Sequence, residues 1–289
     1  MRNPRSRMFA ALFTLILSAG LLAQPSILPN KTDSVKFAVI GDSGTGDQKQ
    51  YRIAEKLFAF RSAFPYDFVL MMGDNSYNGD TAKDLQEVFE RPYKPLLDAG
   101  VKFYASLGNH DNPDERLYKL FNMSGERYFT FKPKNGVRFF ALDSNYMSKE
   151  QLAWLEKELA ASGSDWKICF FHHPLYSSGG THGSDLALRD QLEPLFLKYG
   201  VNVVLSGHDH FYERIKPQKG IYYFVSGGAA NLRKGDIRKT DLTAKGFDTG
   251  YHFMAIEITG DEFHFQVVSD QGQTVDSGVI RRQGSTSSQ

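Results

Sequence analysis

Disulfide bonds do not hold this chain together. Cys169 is the only cysteine among 289 residues and lies inside an apolar run, so the fold has to be stabilised by its own core. A surplus of charge of one sign is missing as well. Lysine and arginine number 34 against 33 aspartates and glutamates, which offers no polycationic face and excludes nucleic acid as the expected partner. Long apolar runs are confined to Met8–Ala23, too short for a comfortable membrane span. Arg2, Arg5 and Arg7 precede that run, and the small residues Ser18, Ala19, Gly20 and Ala23 close it. The pattern reads as a cleavable export signal over residues 1–23. Cleavage would remove three arginines and no acid, leaving a net charge of about −2. The absence of a cysteine near the cut argues against a lipoprotein anchor, and an uncleaved anchor is the alternative to the cleaved signal. Export without disulfides points to a secreted or periplasmic protein. Two Asn-x-Ser/Thr triplets, at Asn30 and Asn122, matter only in a eukaryotic host.

Linkers, repeats and low-complexity stretches are missing between Asp33 and Arg282. A single domain over residues 33–282 with a loose tail at 283–289 is therefore expected, long enough for one substantial core and monomeric by default. Short apolar runs alternate with helical patterns, the mark of an α/β architecture. The runs are Val35–Ile40, Phe68–Met72, Lys102–Leu107, Val137–Leu142, Trp166–Phe171, Val201–Leu205 and Tyr222–Val225. Asp47 is placed to cap a helix whose inner face reads Tyr51, Ala54, Leu57 and Phe58. Ser148 and Gln151 fit a capping box. Leu188, Leu192, Leu195, Phe196 and Tyr199 mark a further helix that Pro194 should kink or restart. Tyr251–Ile258 and Glu262–Val268 read as a hairpin across Thr259-Gly260-Asp261. Together these predict a four-layer α/β/β/α sandwich, with two mixed sheets face to face and helices outside.

Five of the apolar runs end in a metal-ligand residue type. Glycine immediately precedes it in Gly41-Asp42, Gly73-Asp74, Gly108-Asn109 and Gly207-His208, while Trp166–Phe171 runs directly into His172. Carboxyl ends of strands in α/β sheets share one rim, where ligands bind, and glycine lets the backbone bend sharply there. A Gly-Asp pair is usually only a turn, and a lone histidine is usually structural. Here six of the eight histidines (His110, His172, His173, His182, His208, His210) fall in or just beyond these loops. His252 and His264 lie in strand-like context and read as structural. Carboxylates and an amide oxygen suit hard ions, and imidazoles suit zinc, iron, manganese or copper. The set is too large for one ion, which implies two metals sharing a bridging carboxylate, a common solution for phosphoryl transfer.

Gly41-Asp42-Ser43-Gly44, Gly73-Asp74-Asn75-Ser76-Tyr77, Gly108-Asn109-His110-Asp111, the strand end at His172, and Gly207-His208-Asp209-His210 occur in that order. In this order they resemble the blocks of the calcineurin-like metallophosphoesterases and, within them, the purple acid phosphatases. Tyr77, three positions after Asp74, carries the narrower resemblance. The resemblance implies a first metal held by Asp42, Asp74, Tyr77 and His210, and a second held by Asp74, Asn109, His172 and His208. It implies Fe(III) beside a Tyr77 phenolate, Fe(II), Zn(II) or Mn(II) at the other site, and a purple or pink protein. It further implies a phosphate-ester substrate attacked in line by a metal-bound hydroxide at acid pH, with no phosphoenzyme. Fe(III) and a divalent ion give about +5, and Asp42, Asp74 and the tyrosinate offset about 3, which leaves an anion-seeking centre. His110 is then placed to contact phosphate or protonate the leaving group. His182 is the second candidate, although it follows His172 by ten residues where the family pattern has nine. Cys169 replaces the valine common in the family. Asp111 is expected to orient His110, and His173, next to His172 on a strand, to point away.

A serine esterase is the rival enzyme. Gly41-Asp42-Ser43 resembles the opening block of GDS-type lipases, and Asp261-Glu262-Phe263-His264 their terminal Asp-x-x-His, but Tyr77 and Gly207-His208-Asp209-His210 then have no role. A metal- or phosphate-binding module without turnover is the non-enzymatic rival. The missing Lys-Ser/Thr after Gly41, Gly44 and Gly46 excludes a nucleotide-binding P-loop.

Overall fold

The computed structural model describes residues 26–282. The export signal expected at 1–23 and the tail at 283–289 lie outside the described residues. No described helix is long and apolar enough to cross a membrane.

Two sheets carry the architecture. The first contains β1 (Val35–Ile40), β2 (Phe68–Met72), β3 (Lys102–Ser106), β11 (His252–Thr259), β12 (Glu262–Ser269) and β13 (Thr274–Arg281) in the order β13-β12-β11-β1-β2-β3. Within it β1, β2 and β3 are parallel, while β11 runs antiparallel to β1 with Val35 opposite Ile258. The second contains β4 (Phe129–Lys134), β5 (Val137–Ala141), β6 (Trp166–Phe171), β7 (Val203–Ser206), β8 (Tyr212–Ile215), β9 (Tyr222–Ser226) and β10 (Thr243–Phe247), ordered β10-β8-β9-β7-β6-β5-β4. Here β5, β6, β7 and β9 are parallel. All positions of β1, β2 and β6 are buried, as befits unbroken apolar runs covered on both faces.

Apolar residues fill three layers. Between the sheets, Phe37, Leu70 and Ile256 meet Phe139, Ile168, Leu205 and Phe224. Phe37 stacks on Phe68 at 5.2 Å and meets Phe139 edge-on at 5.1 Å. Outside the first sheet pack α1 (Gln48–Arg61) and the helical stretch from α2 (Ala82–Leu85) through a π-turn at Gln86–Glu90 into α3 (Arg91–Asp98). Outside the second lie α4 (Lys149–Ala160) and α5 (Leu186–Tyr199). The expected α/β/β/α layering is what the chain adopts.

Asp47 caps α1, accepting from the Lys49 and Gln50 N–H groups at 2.9 and 3.4 Å. The buried face of that helix is Gln50, Ile53, Ala54, Leu57 and Phe60, whereas Tyr51 and Phe58 are 37% and 46% exposed. The expected phase is therefore corrected at those two positions. Ser148 caps α4 by accepting from Gln151 N–H, but the Gln151 amide turns inward to the Asp143 backbone instead of closing a box. Pro194 neither breaks nor restarts α5, which runs unbroken to Gly200 in the left-handed region. Thr259 pairs with Glu262 across Gly260-Asp261, giving the expected hairpin.

Candidate metal centre

Parallel strands place their carboxyl ends on one rim, and here that rim spans both sheets. Asp42, Asp74 and Asn109 follow β1, β2 and β3; His172 and His208 follow β6 and β7. Within each half a backbone bond ties neighbouring strand ends, Asp42 N–H to Gly73 O at 3.1 Å and Gly207 N–H to His172 O at 3.0 Å, and Ala229 N–H to Gly41 O at 3.3 Å links the two halves. Asp42, Asp74 and His208 themselves sit at positive φ, 56°, 52° and 70°. Such strain in residues with a Cβ marks sites where geometry is held by its surroundings. Gly44 and Gly108 allow close approach, since a Cβ would lie 2.0 Å from Asn75 O at the first and 2.2 Å from Asp74 N at the second.

Two groups of donors result. In the first, Tyr77 Oη lies 2.8 Å from Asp74 Oδ2, 3.4 Å from Asp42 Oδ1 and 3.4 Å from His210 Nε2, and His210 Nε2 lies 3.2 Å from Asp42 Oδ1. In the second, His172 Nε2 lies 3.0 Å from Asn109 Oδ1, 3.0 Å from His208 Nδ1 and 3.5 Å from Asp74 Oδ1. His172 Nδ1 donates to Met72 O at 2.9 Å, which leaves a lone pair on Nε2. In the neutral tautomer that lone pair faces the oxygens of Asn109 and Asp74 at 3.0 and 3.5 Å, an arrangement suited to a cation between them. Atoms at right angles about a metal, each about 2.1 Å from it, stand about 3 Å apart. The donor set fits a cation in each group, with one oxygen of Asp74 turned to each.

Electrostatics agree. Burial pushes the Asp42 carboxyl up, opposed chiefly by His172, and Asp74 pushes it further up. Burial, with Asp42 and Asp74, also raises the Tyr77 phenol, while the Asn231 amide beside it pulls the other way. Burial drives the His208 imidazole down and takes His210 down to about 4. The imidazoles are thus neutral and ready to ligate, and a bound cation would reverse the penalty on the carboxylate and phenol.

Around this centre stand further groups. His110 is exposed and packs on Tyr77 with ring centroids 4.8 Å apart. His182 is exposed and lies 4.1 Å from the His208 ring. No hydrogen bond joins the Asp111 carboxylate to His110. That carboxylate accepts from Asn75 and Ser76 N–H, the Asn75 amide and Gly108 N–H, all at 2.7–3.0 Å, and so clamps the loop after β2 to the turn after β3. His173 follows the end of β6, where alternation no longer applies. It turns to the same side as His172 and lies 4.4 Å from the His208 ring, while Ser144 Oγ holds its Nδ1 at 2.9 Å. Sequence reasoning also passed over Arg233, whose N–H donates to His210 O at 3.0 Å. Its segment carries no periodic signal.

The esterase constellation does not assemble. Ser43 is 2% exposed, and no hydrogen bond joins it to a histidine among the described residues. His264 pairs with Glu262 at 2.9 Å. It lies opposite Glu257, which in turn faces Lys36 at the far end of β1.

The chain is similar to human tartrate-resistant acid phosphatase type 5, 27% identical over 90% of this chain and 94% of that protein. In fold it resembles a purple acid phosphatase from yellow lupin seeds, with a TM-score of 0.71, 19% identity, and coverage of 88% of this chain and 55% of that one. It also resembles GAP50, the anchor in the inner membrane complex of Plasmodium, with a TM-score of 0.78, 19% identity, and coverage of 88% and 90%. A shared scaffold leaves chemistry to the residues it carries. Residues 35–212, which contain every donor described above, match the calcineurin-like phosphoesterase family, and the chain belongs to that family.

Proposed function

We propose that the protein is a secreted or periplasmic acid phosphatase of the purple type, with a dinuclear centre at the rim of its two sheets. Asp42, Asp74, Tyr77 and His210 would hold Fe(III), and Asp74, Asn109, His172 and His208 would hold Fe(II), Zn(II) or Mn(II). When bound, the two cations would neutralise phosphoryl oxygens and supply hydroxide as the nucleophile. The chain's own residues do the rest. Tyr77 and the two aspartates offset the cations and keep them close. His110 and His182 stand at the exposed mouth, where either reaches the departing oxygen to give it a proton. One P–O bond forms to the oxygen of water, the ester P–O bond breaks, and the alcohol leaves protonated. The observation that carries this reading is Asp74, whose Oδ2 faces Tyr77 and whose Oδ1 faces His172.

The non-catalytic alternative leaves the mouth histidines without a task. Hydrolysis of 4-nitrophenyl phosphate separates the readings. Activity is expected in the metal-loaded protein and in Ser43→Ala, and is expected to vanish with a chelator or in Asp74→Ala. Metal uptake without turnover would favour the binding module, and hydrolysis of acyl esters that is lost in Ser43→Ala would favour the esterase.

A further inference from the structure

Next to the donor cluster lies a guanidinium whose charge Asp209 feels but whose buried Nη1 meets no acceptor. Arg233 follows β9 in a segment bonded to the metal-binding side of the second sheet by its own N–H to His210 O. The segment is fastened to the loop that carries His182. Gly180 N–H donates to Asp236 O at 2.8 Å, Arg238 N–H to Ser178 O at 2.9 Å, and Thr181 Oγ1 to Asp236 Oδ1 at 2.7 Å. Arg233 is therefore fixed beside His210 and the loop that carries His182.

Its side chain forms no hydrogen bond or ion pair among the described residues, and Nη1 is buried without a partner. Asp209 and Asp236 are the nearby acids, yet Asp209 Oδ1 and Asp236 Oδ2 are themselves buried without a hydrogen bond, so they do not close on the guanidinium. A buried donor without an acceptor is costly, more so when charged. Two cations across the rim would add repulsion unless an anion lay between them and Arg233. A planar guanidinium is suited to phosphate oxygens.

Resting on the phosphatase reading above, we propose that Arg233 binds the phosphoryl oxygen left free by the two cations and so selects phosphate monoesters over diesters. A monoester dianion presents three unesterified oxygens, enough for both cations and Arg233. A diester presents two, and its second ester group stands where the guanidinium needs an acceptor. Binding strengthens as charge moves onto those oxygens during transfer.

The test compares metal-loaded wild type, Arg233→Met and Arg233→Lys on 4-nitrophenyl phosphate and bis(4-nitrophenyl) phosphate. Metal content is measured alongside, and affinity for inorganic phosphate is measured by calorimetry. Arg233→Met is expected to keep its metals and lose about 100-fold in kcat/KM for the monoester. For the diester it should lose no more than about threefold, and its affinity for inorganic phosphate should weaken about tenfold. Arg233→Lys should fall between. Equal losses on both esters, or unchanged values on both, would overturn the proposal, and Arg233→Lys decides by the same ratio if Arg233→Met sheds metal. If metal-loaded wild type hydrolyses neither ester, the phosphatase reading itself fails. In that event phosphate calorimetry still judges Arg233.

Discussion

The backbone N–H of His208 donates to Asp42 Oδ2 at 2.9 Å, a bond between residues 166 positions apart. It turns the other oxygen of Asp42 toward His210 Nε2, 3.2 Å away. One carboxylate thus joins the rims of two sheets, and the bend that brings His208 there depends on Gly207. A Cβ at Gly207 would lie 2.6 Å from Asp42 Oδ2 and 2.7 Å from Met72 O. Gly207→Ala is expected to weaken metal binding by about 10–100-fold while the far-ultraviolet circular dichroism stays native. Competition with a chromogenic chelator measures this, and undiminished affinity would contradict it.

Tyr77→Phe removes the phenolic oxygen and keeps the ring against His110. The iron-loaded protein should lose its visible charge-transfer band, and hydrolysis should fall about 10–100-fold. An absorption spectrum of wild type and variant at equal iron content checks the assignment. A band that survives the substitution would transfer it to another ligand.

His252 provides the pH test away from the metals. It is fully buried, its Nε2 lies 3.0 Å from Ser226 Oγ, and burial pushes its imidazole down to about 3. Between about 3 and about 6.5 the unfolded chain therefore holds a proton that the folded chain refuses. The contribution of His252 to stability falls as pH drops through that window and is constant above it. His252→Gln should lose less stability than wild type between pH 6.5 and 4. Urea titrations of both proteins across that range measure the difference, and parallel slopes would count against it.

Phe37→Ala addresses the core. The ring is fully buried between Phe68 and Phe139, so its loss should cost about 3–5 kcal/mol by urea unfolding. A cost below about 1 kcal/mol would mean that the sheets close over the gap.

Elements with their own apolar pattern were legible in the sequence. β1, β2 and β6 begin and end where their apolar runs do, because strands buried on both faces need no partner to reveal them. β4, β8, β10 and β13 were not legible. They carry charged residues or glycine, such as Lys132 and Lys134 in β4, Gly246 in β10 and Gly278 in β13, and become strands by pairing with neighbours. The phase of α1 slipped because Gln50, polar in type, is buried by bonds to Val88 O and Gly46 N–H. Ligand types at strand ends were visible because glycine announces the bend in four of five cases. His173 was misjudged because strand alternation stops at Phe171. Arg233 was invisible because only the fold brings its segment against His182.

Metal analysis of the purified protein, with its visible spectrum, tests the central claim most directly. Two ions per chain, iron among them, with a charge-transfer band and a stoichiometry that drops in Asp74→Ala are the results expected. One ion per chain, or two that remain in Asp74→Ala, would contradict a centre built on that shared carboxylate.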